Sequence, residues 1–354
     1  MPLLSEGDHI HNTYTVERMI GAGAFAEVYR VNHRFLGRQA MKVFKAVGVT
    51  IEELNEALAE AKLLSRIGHP NIIRVFDANV YDSPAGRLGY FTMEHVGGGT
   101  LMQFRRTFGG APVPVPMTVD VISQVCQGLT VAHRNSPPIV HRDVKPQNIL
   151  IGYGPGRIQV RLSDFGLAKR VNPLTLKASA RGTLFFLPPE IHRNTSADAR
   201  KGDVWAVGLC LYWLLTDRFP YLSEDDPDET LPGEGRTSWR PPSDFNCLVP
   251  ADIDHIAEKA LALDPDKRYS DAGEILADLE ACSCCGKPRS GNEGVLGFDG
   301  ETARALAQRA VRLARDSGRL SEAASLLDRA LKLAPELRDD YGVWLDLWSK
   351  GVAQ

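Results

Sequence analysis

Two periodicities take turns along the chain. Thr15–Ile20 and Val28–Asn32 alternate apolar and polar positions, as half-buried strands do, and flank a glycine-containing turn. Gln39–Val43 continues the pattern: Ala40 and Lys42 share one face, Met41 and Val43 the other. The spacing then becomes helical. Ile51, Leu54, Leu58 and Ala61 make an apolar stripe over Ile51–Ile67, with Glu56 and Glu60 one turn apart on a neighbouring face. Phe91–Glu94 ends another strand and runs into Gly97-Gly98-Gly99, a joint between two halves. An apolar helical run extends from Val204 to Leu215. Leu222–Pro250 carries Asp225, Asp226, Asp228 and Glu229 and then Pro and Gly, and reads as a solvated loop.

A polar stretch, Gly286–Gly300, reads as a linker. Beyond it Ala307, Ala310 and Ala314 precede a turn at Gly318; Leu326, Leu327, Ala330, Leu331 and Leu333 lead to Pro335. Small residues where helices cross, a glycine turn and a closing proline resemble one tetratricopeptide repeat over Arg304–Leu337. A further helix is expected over Asp339–Lys350. One repeat needs neighbours to bury its faces. The tail is therefore expected to dock on the preceding domain, self-associate, bind a protein partner or begin a longer array; a plain helical hairpin is the alternative.

Composition narrows the class. An apolar share of 44% over 354 residues supports buried cores in more than one domain. A net charge of −3 gives no footing for a general nucleic-acid partner. Met1–Asp8 lacks a basic-then-apolar leader, and Val204–Leu215 is too short to span a bilayer. A soluble, cytoplasmic protein without a membrane anchor is expected. Cys126 and Cys210 sit in apolar helical patterns and read as core. Cys282, Cys284 and Cys285 could offer thiolates to Zn²⁺, but a closed structural site needs a fourth ligand; a reduced or redox-sensitive linker is the other reading.

The chemistry concentrates in His141-Arg142-Asp143-Val144-Lys145-Pro146-Gln147-Asn148 and, one hairpin later, Asp164-Phe165-Gly166. An acid, a cation and an amide in one loop, joined by a second acid, can position a hydroxyl, neutralise a phosphate and hold a divalent ion. This set resembles the catalytic loop and metal-binding turn of the protein kinase family. Other parts follow in family order over residues 13–281. Gly21-Ala22-Gly23-Ala24-Phe25-Ala26-Glu27-Val28 resembles the glycine-rich loop, with Ala26 at the third glycine position. Gly182-Thr183 through Pro188-Pro189-Glu190 resembles the end of an activation segment, with Pro188 where alanine is usual.

The resemblance implies an α+β, bilobal fold: a small β-rich lobe over 13–96 and a large helical lobe over 97–281, then a linker over 282–300 and an all-α tail over 301–354. It implies ATP as cofactor with Mg²⁺, Mn²⁺ being an alternative ion, and protein substrates. Asp143 is then the base, with Lys145 at the γ-phosphate. Lys42 is placed at the α- and β-phosphates, held by Glu60, with Glu56 the runner-up. Asn148 and Asp164 are the metal ligands. Ile20, Gly21, Gly23, Val28, Ala40, Met93, Glu94, Val96 and Leu150 surround the nucleotide. Thr175, Ser179 and Thr183 are the candidate phosphosites, Thr183 being more structural. Arg142, Glu190, Asp203 and Arg268 are structural: Arg142 pairs with a phosphate, Glu190 with Arg268, and Asp203 anchors the catalytic loop. Leu64, Val75, His141 and Phe165 would stack as an apolar column. Lys145 points to the serine/threonine class. The rivals are a pseudokinase scaffold working through its tail, a small-molecule phosphotransferase of similar fold, and a kinase whose main role is recruitment.

Overall fold

The structure is a computed structural model. It describes residues 2–23, 26–45, 67–83, 86–109, 111–154, 157–165, 186, 188–192, 198–220 and 239–282, and in the tail 307, 310, 311, 314, 320–333, 341, 345 and 348. The chain divides into two compact units, 1–152 with 159–285, and 153–158 with 286–354.

In the first unit the alternating segments form one antiparallel sheet. Its strands are β1 (His9–Ile10), β2 (Tyr14–Ala22), β3 (Ala26–His33), β4 (Gly37–Phe44), β5 (Val75–Ser83) and β6 (Gly86–Glu94), in the order β1-β2-β3-β4-β6-β5. Register pairs Val28 with Lys42 and Ala40 with Met93. One face carries Tyr14, Val16, Tyr29, Val31, Met41, Val43 and Tyr90 into a core completed by Leu4 and Ile10. The opposite set of positions, Val28, Ala40 and Lys42, is thereby left for the other side of the sheet. The strand ends reach two residues further into the glycine turn than the alternation indicates, because Gly23 N–H donates to the Ala26 carbonyl at 2.8 Å and closes the hairpin.

The large lobe is helical. Its elements are α1 (Leu101–Arg106), α2 (Val115–His133), the β7 (Ile149–Gly154) and β8 (Arg157–Leu162) hairpin, a short α3 (Pro189–His192), α4 (Ala199–Thr216), α5 (Ala251–Ala260) and α6 (Ala272–Ala281). Thr100 and Gln103 make a reciprocal capping box at the start of α1, which fixes where the chain leaves the glycine joint. Pro116 opens α2, where its missing N–H costs nothing. From Asp203 to Thr216 every residue of α4 is buried, as its all-round apolar sequence requires. Asp217 ends it in a left-handed conformation (φ 58°) and pairs with the buried Arg105 at 2.8 Å. This bilobal arrangement is the expected one. The helix expected over Ile51–Ile67 lies outside the described residues except at Ile67, as do most of 222–250 and the linker.

One strut ties the lobes. Asn71 Nδ2 donates to Gln124 Oε1 at 3.2 Å and to the Val160 carbonyl at 3.0 Å, while the Leu162 N–H donates to the Asn71 carbonyl at 2.9 Å. Gly128 lets α2 lie against it: a Cβ there would stand 2.9 Å from the Asn71 carbonyl oxygen and 3.0 Å from Leu162 Cδ1. Alanine normally favours a helix interior over glycine by about 1 kcal/mol. Gly128→Ala should nonetheless destabilise the protein by about 1–3 kcal/mol, because the group in the way is backbone. Thermal or urea unfolding of the variant checks this; unchanged or raised stability would show the strut can yield.

The second unit has its own small core. Helix α7 (Leu320–Leu333) buries Leu320, Ala323, Ala324, Leu327, Ala330 and Leu331 with Ala307, Ala310, Ala314 and Trp348. Alanines at these positions let helix backbones approach closely. No described helix is long and apolar enough to cross a membrane.

Candidate active site

The catalytic-loop octet is held from beneath by one carboxylate. Asp203, 1% exposed on α4, accepts the His141 N–H at 2.8 Å on Oδ2 and the Arg142 N–H at 2.7 Å on Oδ1. His133 Nε2 also meets Oδ2, at 2.9 Å, and the Ala272 N–H reaches His133 Nδ1 at 3.4 Å. A backbone donor on Nδ1 leaves the ring proton on Nε2, facing Asp203. This clamp holds Arg142 at φ 64°, a left-handed conformation that costs a side-chain-bearing residue about 1–3 kcal/mol. His133 was missed by sequence reasoning. It belongs to the preceding helix and carries no motif; only its place at the end of an apolar helix, before a turn into the loop, marks it.

Above the clamp, three polar side chains converge. Lys145 Nζ lies 2.8 Å from Asp143 Oδ2, and Asn148 Nδ2 donates to the same oxygen at 2.8 Å and to the Asp143 carbonyl at 2.8 Å. Asp143 Oδ1 has no partner among the described residues. The Asn148 backbone is fixed in turn: its N–H donates to the Lys145 carbonyl at 2.9 Å, and its carbonyl accepts from Ser163 N–H at 2.9 Å.

Asp164 follows Ser163 at the end of β8, at φ 60°, and its carboxylate pairs with Lys42 Nζ. Burial pushes the Asp164 carboxyl up, but the Lys42 ammonium outweighs it and holds the group below the usual carboxylate range. Lys42 is 7% exposed and stands 5.9 Å from the Phe91 ring centre. Sequence reasoning placed Lys42 with Glu60 or Glu56; both glutamates lie outside the described residues, and the direct bond to Asp164 had no sequence signal. Phe165 packs on His141, ring centres 4.4 Å apart, and Val75 is 8% exposed; Leu64 lies outside the described residues. Burial lowers the His141 pKa.

The hinge side is apolar. Ala40 (4% exposed) faces Met93 (6%) across β4 and β6, and Val28 lies against Gly21, where a Cβ would be 3.8 Å away. Leu150 bridges to Thr100, and Ile151 N–H donates to the Gly99 carbonyl at 2.8 Å, so the floor of β7 is laced to the joint. Gly152 leaves room for Val96, whose Cγ1 would be 3.4 Å from an added Cβ. Ile20 is 42% exposed. The Glu94 N–H donates to the Arg74 carbonyl at 2.9 Å, and its carboxylate takes Arg161 Nε at 3.1 Å, an ion pair not foreseen from sequence.

Further out, Glu190 receives Arg268 on both oxygens at 2.7 and 2.8 Å, and the guanidinium sits 4.7 Å above the Trp205 ring. Thr175, Ser179 and Thr183 lie outside the described residues, as do Cys284 and Cys285. Cys282 is buried, and no group of three metal-binding side chains occurs among the described residues.

Known proteins place this geometry. The protein kinase domain family matches residues 14–279. The chain is 35% identical over 277 residues to serine/threonine-protein kinase PknB of Mycobacterium tuberculosis (strain ATCC 25618 / H37Rv), covering 77% of this chain and 43% of the relative. It is 32% identical over 285 residues to the probable serine/threonine-protein kinase SCO3848 of Streptomyces coelicolor (strain ATCC BAA-471 / A3(2) / M145), covering 79% and 41%. The chain thus spans less than half the length of these curated relatives. Among solved structures, the Mycobacterium tuberculosis PknI kinase domain superposes with a TM-score of 0.58 at 26% identity, over 78% of this chain and 99% of that one. On the matched residues and the lobes, loop and turn they build, the chain belongs to the protein kinase family, among its bacterial serine/threonine members.

Proposed function

We propose that the chain transfers the γ-phosphoryl group of ATP to serine or threonine hydroxyls of proteins. The observation that carries this reading is the convergence of Asp143, Lys145 and Asn148 on one loop, with Asp164 and Lys42 joined beside it. Asp143 uses its unpartnered Oδ1 to orient the substrate hydroxyl and take its proton. Lys145, held at Oδ2, offers its charge to the γ-phosphate. Lys42 leaves Asp164 for the α- and β-phosphates when nucleotide arrives. Ala40, Val28, Leu150 and Met93 enclose the adenine, against backbone groups of Glu94 and Val96.

The kinase family uses ATP with a divalent ion, and the donors here suit Mg²⁺. Asp164 and the Asn148 amide oxygen are hard ligands, and Mg²⁺ asks for only one or two protein groups because phosphates and water complete its shell. Asp164 and Asn148 would hold it, and it would neutralise charge between the β- and γ-phosphates. No expected transfer residue is absent from the sequence, which disfavours a scaffold. Arg142 is suited to pair with a phosphate on Thr175 or Ser179. The tail reads as a tetratricopeptide-like repeat, supported by the alanine-lined core beneath α7.

The test is to incubate purified protein with Mg²⁺ and γ-labelled ATP and map the label. Phosphoserine or phosphothreonine is expected, with Thr175 or Ser179 among the sites. ATP-dependent thermal stabilisation without any label would favour a scaffold acting through the tail.

A further inference from the structure

The stretch before β1 does more than lead into the sheet. Leu4 is 4% exposed and Ile10 1% exposed, both in the core of the small lobe. Between them and the glycine hairpin runs a chain of polar contacts. The Leu3 N–H donates to Glu27 Oε2 at 2.8 Å, and the Leu4 N–H donates to the Tyr29 hydroxyl at 3.0 Å. Tyr29 in turn donates to the Glu27 carboxylate. Lys45, just past β4, stands 3.8 Å from Glu27 Oε1.

Glu27 is 6% exposed, an unusual place for an acid. Burial pushes its carboxyl up, but the Leu3 N–H, the Tyr29 hydroxyl and Lys45 outweigh it and hold the group below the usual range. A buried carboxylate is tolerated only when it is bonded in this way. Its position matters as much as its partners. Glu27 follows Ala26, whose carbonyl closes the glycine hairpin on Gly23, and pairs with Ala22 across β2. It precedes Val28, whose side chain alternates to the nucleotide side of the sheet. Whatever fixes Glu27 fixes the strand pair next to the turn of the hairpin.

We propose that Leu3–Leu4 is a strap that sets the phosphate-binding hairpin, and that Glu27 is its positioning residue. The strap binds the outer face, and the nucleotide meets the inner one. The proposal rests on the kinase reading for its ligand, a nucleoside triphosphate with its metal. Ala26 sharpens the need for such a device: the hairpin lacks the third glycine and depends on being held in one shape.

Two variants cut the strap without emptying the core. Tyr29→Phe keeps the ring and removes the hydroxyl that joins Leu4 to Glu27. Leu3→Pro removes one N–H at a half-buried position. The Kd of a non-hydrolysable ATP analogue with Mg²⁺ is measured by calorimetry, and KM for ATP, KM for a peptide and kcat by initial rates. In each variant the analogue Kd and the KM for ATP should rise about fivefold, the effect of losing one typical hydrogen bond. The kcat and the peptide KM should hold. Leu3→Pro with an unchanged analogue Kd would overturn the proposal, as would a fall confined to kcat or shared by both substrates. If Tyr29→Phe fails to fold, Leu3→Pro decides alone. Because the analogue Kd requires no transfer, a protein that binds nucleotide yet labels nothing overturns the kinase reading and still tests the strap.

Discussion

Asp143→Asn should lower phosphoryl transfer by about 10²–10⁴-fold, the range typical for loss of a positioned general base, while leaving nucleotide affinity near wild type. The carboxylate receives Lys145 and Asn148 on Oδ2 and keeps Oδ1 open. An asparagine of the same shape can still accept both contacts with its carbonyl oxygen in the Oδ2 position. Its NH₂ group then takes the open Oδ1 position, where it cannot accept a hydroxyl proton. None of the contacts around the proposed adenine pocket, and neither Lys42 nor Asp164, depends on that carboxylate. Single-turnover transfer and calorimetric binding of an ATP analogue separate the two effects. Unaltered turnover would remove Asp143 from the chemistry; lost turnover together with lost binding would assign it a structural role.

The sequence was legible where function demands particular atoms in a fixed order. The octet at 141–148, the acid at 164 and the lysine at 42 were marked because few other purposes put those residue types at that spacing. The sheet was legible through alternation where a strand buries mainly one face, as β2 and β3 do. What could not be read were the contacts that cross the chain at long range. His133 is one helical residue among many until α4 brings Asp203 to it, 70 residues later in sequence. Glu27 looked like part of a glycine loop; that it is buried follows from Leu3 and Leu4 folding over β3. The Lys42–Asp164 pair is of the same kind, since each residue is identifiable alone and their meeting depends on how the lobes sit. Local pattern encodes faces and turns; it does not encode which buried polar group will satisfy which other.

Asp203→Ala is the sharpest test of such a buried contact. The substitution would remove the only groups among the described residues that accept the His141 and Arg142 N–H donors and would also strand His133 Nε2. Each buried donor left without a partner costs about 1–3 kcal/mol, so a stability loss on the order of 3 kcal/mol or more is expected. Function should fall further than stability alone explains. Without the clamp Arg142 loses the bond that fixes its left-handed conformation, and Asp143 is the next residue along the backbone. A displacement of about 1 Å in a reacting group can cost on the order of 10²-fold in rate, so folded Asp203→Ala should transfer at least that much more slowly even at low temperature. Asp203→Asn is the informative companion. Its amide oxygen can accept from one backbone N–H, but its NH₂ then opposes a second donor, so it should fall between wild type and alanine on both measures. Chemical unfolding gives the first measure and single-turnover transfer by the folded fraction gives the second. If Asp203→Ala matched wild type in both, the loop would be held by its own turn and the carboxylate on α4 would be incidental to it. If stability fell and the folded fraction transferred normally, the clamp would serve the fold alone.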